Sequence, residues 1–279
     1  AVVRDMVSDA RAASMIGYVT MGMSLVPMIG PAIGGVLDDI WGWQASFALL
    51  LVAGIGVTWL CWRDLGETSA PSGLGFGAQV AQYPRLLTSQ RFWGYSLAAA
   101  LSSGCFFAYL GGAPYVGTEL YGLSSSHIGL LFAITAVGYA GGNFLAGRFS
   151  ERVGMNRMVL WGTLITVISC TALAAVSLAG AMTATLFFSL TGIMGLGNGV
   201  CLPNANAGIL SVRPELAGTA SGLGGAINIG GGAGLAALAG MLLPPGATEL
   251  PLILLMLACA VGSVLSILWV MARARALGV

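Results

Sequence analysis

The chain contains no lysine. Its eleven basic residues are all arginines, set against ten acids and one histidine, and charged residues make up only 8 % of its 279. A soluble domain carries about a quarter charged residues, so this composition cannot supply a water-facing surface. Hydrophobic residues reach 57 % and mean hydropathy is +0.90, which places the chain among polytopic helical membrane proteins. A net charge of +1 with scattered arginines gives no basic surface for nucleic acid. His127 stands alone in a loop, so no histidine-based metal cluster can form, and nothing calls for a cofactor. The five cysteines, Cys61, Cys105, Cys170, Cys201 and Cys259, lie inside apolar runs without CxxC spacing. That is the pattern of small buried packing residues. No initiator Met or signal-peptide layout opens the chain. Ala1-Val2-Val3 running into Arg4-Asp5 reads as the tail of a truncated helix.

Apolar runs occupy residues 13–36, 45–62, 92–116, 128–147, 158–179, 183–211, 217–243 and 250–272, each near the roughly 20 residues that cross a ~30 Å hydrocarbon core. They must be helical, because a lone strand leaves backbone groups unpaired in lipid, and they lack the alternation of barrel strands. No charge sits in the middle of any run; one arginine there costs about 2.5–3.5 kcal/mol. These spans therefore lack an obvious proton-carrying carboxylate. The arginines fall only in alternate gaps: Arg4 and Arg11; Arg63, Arg85 and Arg91; Arg148, Arg152 and Arg157; Arg213; Arg273 and Arg275. The other gaps carry Asp38 and Asp39, Glu119, and Glu249. Cytoplasmic loops accumulate basic residues, so the pattern predicts a cytoplasmic C-terminus. The connection 63–91 begins rich in Gly, Ser and Pro, as a flexible linker does. It divides the chain into 1–62, the linker, and a six-span part over 92–279.

Four places could carry mechanism. In the first span Pro31 kinks the helix, and Gly30 and Gly34 share a small face that lets another helix approach. In the third span Tyr95, Ser102, Phe106 and Tyr109 recur at three- and four-residue steps and share one face, with Phe107 beside them. Asn198 in the sixth span must point away from lipid. These six residues form a candidate substrate cavity, with packing against neighbouring helices as the alternative. Pro203 breaks the sixth helix's hydrogen-bond ladder, and Asn204 or Asn206 could supply replacement partners or touch substrate. Finally, Gly224, Gly225, Gly230, Gly231, Gly232 and Gly234 leave the seventh span almost featureless, fit either for sliding or for close packing.

Gly17, Gly30, Pro31, Gly34 and Gly35 match the antiporter motif G-x8-G-x3-G-P-x2-G-G, with Val26 at its second glycine. By these residues the chain resembles the major facilitator superfamily, and within it the twelve-helix drug/proton antiporters of the Bcr/CflA type, whose fifth helix carries the motif. Gly147, Arg148, Glu151, Arg152, Gly154 and Arg157 resemble the superfamily's loop motif G-x-L-a-D-R-x-G-R-R, with Glu151 in place of Asp and Met155-Asn156 in place of two basic residues. Pro203-Asn204-Ala205 and Ala217-Gly218-Thr219-Ala220-Ser221 resemble its helices ten and eleven. The resemblance implies an all-α, partial major facilitator fold running from the end of helix four through helix twelve. It also implies a bacterial inner-membrane monomer, no cofactor beyond the proton gradient, and efflux of small drug-like compounds. Glu151 would then act as a cytoplasmic latch. Transport of one specific metabolite is the alternative. A membrane enzyme lacks a nucleophile–base pair, and a sensor would need a soluble signalling domain. The acids that carry protons in such antiporters would lie in the preceding helices.

Overall fold

The computed structural model of the chain describes residues 30, 33–64, 83–213 and 216–276. Arg4, Arg11, Gly17, Val26, Pro31, most of the span 13–36 and most of the linker lie outside the described residues. Described residues 33–41 form helix α1. There follow α2 (Gln44–Asp64), α3 (Tyr83–Leu87), α4 (Gln90–Tyr115, continued by a π-helical turn over Val116–Leu120), α5 (Ser125–Val153), α6 (Met155–Leu178), α7 (Ala184–Ser211), α8 (Ala217–Met241) and α9 (Leu250–Ala276). Among the described residues there is no strand, and seven helices are long and apolar enough to cross a membrane. These seven fall on the apolar runs from 45 onward. Contacts divide the chain into two compact units, residues 1–78 with 124–133, and residues 79–123 with 134–279.

In the first unit α1 turns into α2 at Gly42, whose φ of +80° suits glycine and whose N–H donates to the Asp38 carbonyl at 2.9 Å. α2 has no buried residue, and Leu50, Leu51, Trp59 and Trp62 stand exposed along it. Arg63 folds back over the Trp59 ring, 5.3 Å from its centroid, a cation–π contact suited to a headgroup boundary.

The second unit is organised around α4. Ser89 caps it by accepting from Phe92 N–H at 3.4 Å. Gly94 meets Val270 of α9, and Ser263 Oγ donates to the Ala98 carbonyl at 2.7 Å. On its α8 side Phe107 fills the space above Gly232, Leu235 that above Gly104, and Ala236 lies on Gly111. Without a hydrophobic drive between helices in lipid, such close approach supplies the association energy.

The closest packing joins α5 to α7. A methyl on Gly138 would overlap the Gly192 carbonyl oxygen, on Gly142 that of Leu196, on Gly195 that of Thr135, and on Gly199 that of Tyr139. The glycines are reciprocal: each helix presents bare backbone where the other presents carbonyls. Gly197, on a different side of α7, abuts α6, where a methyl on Gly162 would lie 2.6 Å from both the Gly197 carbonyl oxygen and Cys201 N. α5 and α6 are joined by Gly154 alone, at φ +89° with no side-chain cap. That left-handed backbone is costly for any residue with a Cβ.

Candidate functional site

Of the antiporter-motif positions, Gly17 and Pro31 are not described. Among the described residues, a methyl on Gly30 meets nothing within 4 Å, and one on Gly34 makes an ordinary contact with Ser46 Oγ at 3.7 Å. Gly35 differs. It is buried, and a methyl there would overlap the Ser125 carbonyl and come within 3.1 Å of Ser126 Cα. Among the described motif glycines, then, the backbone-to-backbone contact belongs to the last one and is made with the first turn of α5, within the first unit.

The aromatic face of α4 is directed inward. Tyr95 and Tyr109 are wholly buried, and Ser102 and Asn198 are 1 % exposed. All four are enclosed within the second unit. Their burial favours the packing alternative over an open cavity. Tyr95 lays its ring over Gly208 of α7 and donates its hydroxyl to Asn156 Oδ1 of α6 at 2.6 Å. Tyr109 stacks with Phe187 and Phe188, at centroid separations of 6.2 and 6.4 Å. Phe106 and Phe107 are half-buried and keep the partial exposure that a ligand contact needs.

A polar seam runs through this interior. Ser102 Oγ donates to Asn198 Oδ1 at 2.5 Å, which leaves Asn198 Nδ2 buried without a partner among the described residues. Thr135 Oγ1 bridges Tyr109 and Thr191 at 3.3 and 3.2 Å, and Ser103 donates to Asn228 of α8. Single hydroxyls in apolar runs gave no spacing signal that Thr135, Thr191 and Ser103 meet across helices. Cys105 Sγ lies 3.8 Å from Cys170 Sγ and 3.4 Å from Met194 Sδ. Four cysteines are buried and all five are free, with Cys61 exposed.

Beside Pro203 in α7, Asn204 Nδ2 donates to the Val200 carbonyl at 2.9 Å. It supports the turn before Pro203, although the carbonyl that proline leaves unpaired belongs to Gly199. Asn206 is exposed, as is Pro203.

Around the α5–α6 junction Gly147, Arg148, Glu151, Arg152, Gly154 and Arg157 are all exposed, and all but Gly154 lie within the two helices. Glu151 makes no ion pair among the described residues, so the acid is not held between Arg148 and Arg152 there. The firm contact in this region comes from Asn156, one of the two residues that stand in place of the motif's basic pair. Tyr95→Phe removes its hydrogen bond while keeping the ring, and should lower stability by about 1 kcal/mol. Thermal unfolding in detergent of Tyr95→Phe, Asn156→Ala and the double variant measures it. Two full, additive losses would show that the pair is not coupled.

At the arginine-free end of the second unit, Tyr115 Oη donates to the Pro244 carbonyl at 3.0 Å and Ser177 Oγ to Glu249 Oε1 at 2.8 Å. Burial, then the Glu249 charge, pushes the Tyr121 hydroxyl up to about 12, so it stays protonated in the physiological range.

Sequence comparison fits this architecture. The chain is 26 % identical to a bicyclomycin resistance protein homolog of Haemophilus influenzae, over 98 % of this chain and 69 % of that protein. It is 29 % identical to multidrug resistance protein D of Escherichia coli, over 90 % of this chain and 63 % of that one. An uncharacterized transporter of Bacillus subtilis is 26 % identical over 68 % of the chain, which spans 48 % of its length. The chain thus spans about half to two thirds of the relatives it matches. The fold is similar to that of a bacterial homolog of the human lysosomal transporter Spinster, in an inward-facing, occupied conformation. The TM-score is 0.60 at 19 % identity, covering 98 % of this chain and 72 % of that one. The family model for the Major Facilitator Superfamily matches residues 1–233 and 114–278, and the chain belongs to that superfamily.

Proposed function

We propose that the complete protein exports small, drug-like organic compounds in exchange for protons, as a monomer, by alternating access. The observation that carries this reading is the pairing of relatives named for bicyclomycin and multidrug resistance with a motif helix whose Gly35 packs bare backbone on another helix. Glycine-to-backbone contacts let helices sit close without interlocking side chains, which suits surfaces that must separate and rejoin. Residues 1–62 then end the first helix bundle, 63–91 link the bundles, and 92–279 form the second. Half-buried Phe106 and Phe107 are the aromatic contacts offered to substrate, where planar or lipophilic cations gain by stacking and cation–π attraction. The arginine distribution supports a cytoplasmic C-terminus in a bacterial inner membrane.

The test is the complete protein in proteoliposomes with an imposed pH gradient, offered ethidium, other lipophilic cations and neutral metabolites. Ethidium movement that collapses when the gradient is dissipated is the expected result. Transport of one metabolite and no cation would replace the reading with that of a single-substrate carrier. Transport indifferent to the gradient would remove the proton.

A further inference from the structure

The acids Asp38 and Asp39 are both engaged with the first turn of α5, within the first unit. Ser125 Oγ donates to Asp38 Oδ2 at 2.6 Å, and Ser126 N–H donates to Asp39 Oδ2 at 3.1 Å. Asp38 is half-buried and Asp39 exposed. One turn earlier, buried Gly35 brings its backbone onto the same Ser125–Ser126 peptide.

α5 does not need these carboxylates in order to start. Ser124 already caps it: its Oγ accepts from His127 N–H at 3.4 Å, and its carbonyl accepts from Ile128 N–H at 3.0 Å. His127 is the titratable group in the first turn of α5, and its ring Nδ1 lies 2.7 Å from Ser124 Oγ. Neither acid forms an ion pair among the described residues. The two carboxylates are therefore additional to the helix's own cap, and what they add is a tie between α1 and α5. They sit at the positive end of the helix dipole and accept charge-assisted hydrogen bonds. One is open to water, which can replace it when the helices part.

We infer that Asp38 and Asp39, with Ser125 and Ser126, form a releasable clasp at the arginine-free end of the molecule. The clasp is closed when that end is shut and broken once in each transport cycle. Glu249 and Ser177 form a similar acid–serine pair, but both residues belong to the 92–279 bundle, so that pair stays closed throughout. This inference rests on the transport reading above, and its test separates the two.

In the complete protein with Cys61→Ser, Asp38→Cys and Ser125→Cys are combined and bridged by a short bifunctional thiosulfonate, with the link located by peptide mass mapping. The bridged protein should move ethidium at least tenfold more slowly and recover on reduction. In a second arm, Ser126→Cys is labelled by a membrane-impermeant maleimide. Adding Asp38→Ala and Asp39→Ala should raise the labelling rate at least fivefold, and Glu249→Gln should leave it unchanged. Failure to bridge, bridged protein that transports at the unbridged rate, or unaltered labelling overturns the clasp. If the parent protein moves no offered compound, the transport reading fails instead, and the labelling arm still decides whether the acids hold this end closed.

Discussion

Gly142→Val should leave the complete protein unable to form the α5–α7 contact. Even a single methyl at Gly142 overlaps the Leu196 carbonyl oxygen and comes within 2.8 Å of Gly199 Cα and 2.9 Å of Val200 N. All of these are backbone atoms, and no rotamer change can move them aside. The helices must separate, and every neighbouring glycine contact loosens with them. Overpacking typically costs 1–3 kcal/mol; with backbone on both sides and a branched side chain, about 3 kcal/mol or more is expected. Little monodisperse protein should be recovered in detergent, and its unfolding temperature should fall sharply. Gly141→Ala is the matched control. It is the adjacent helical glycine with nothing within 4 Å, so it should be neutral or stabilising by up to about 1 kcal/mol. Equal behaviour of the two variants would show that the seam does not hold α5 to α7.

The second large effect is expected at Gly35. Gly35→Val should reduce export to background in the complete protein while leaving membrane insertion intact, because the side chain would prop α1 away from the Ser125–Ser126 peptide. Gly30→Ala should be tolerated, since its methyl meets no described atom within 4 Å. Of the described motif glycines, Gly35 is the one in backbone contact with another helix. Ethidium efflux by both variants, normalised to protein in the membrane, decides between the two positions.

The membrane spans were legible because hydropathy and arginine placement are one-dimensional properties, and seven of the expected runs coincide with helices. The direction in which each helix faces was much less legible. The three- and four-residue steps put Tyr95, Ser102, Phe106 and Tyr109 on one face of α4, but periodicity could not say whether that face lines a substrate cavity or packs on neighbouring helices. It meets the interior. The glycines show the same limit. In α8, Gly224 receives Ile209 and Gly232 receives Phe107, whereas Gly225, Gly230, Gly231 and Gly234 meet nothing within 4 Å. Nothing in the spacing distinguishes these two groups. Asn156 was visible only as a misfit to a loop motif, and its contact with Tyr95 crosses 61 residues of chain, beyond the reach of local pattern.

The α5–α7 seam also bears on the thermodynamics of joining two helices. Burying long side chains at an interface quenches rotamer entropy worth up to about 1.5–2 kcal/mol for each of the most flexible, whereas glycine has none to lose. The backbone contacts of Gly138, Gly142, Gly195 and Gly199 therefore form without that penalty, and their strength depends mainly on distance. Dispersion at this range falls away within an ångström. The junction should thus behave as a short-range adhesive, firm at contact and almost without resistance once parted, with little dependence on the motional freedom of its surroundings.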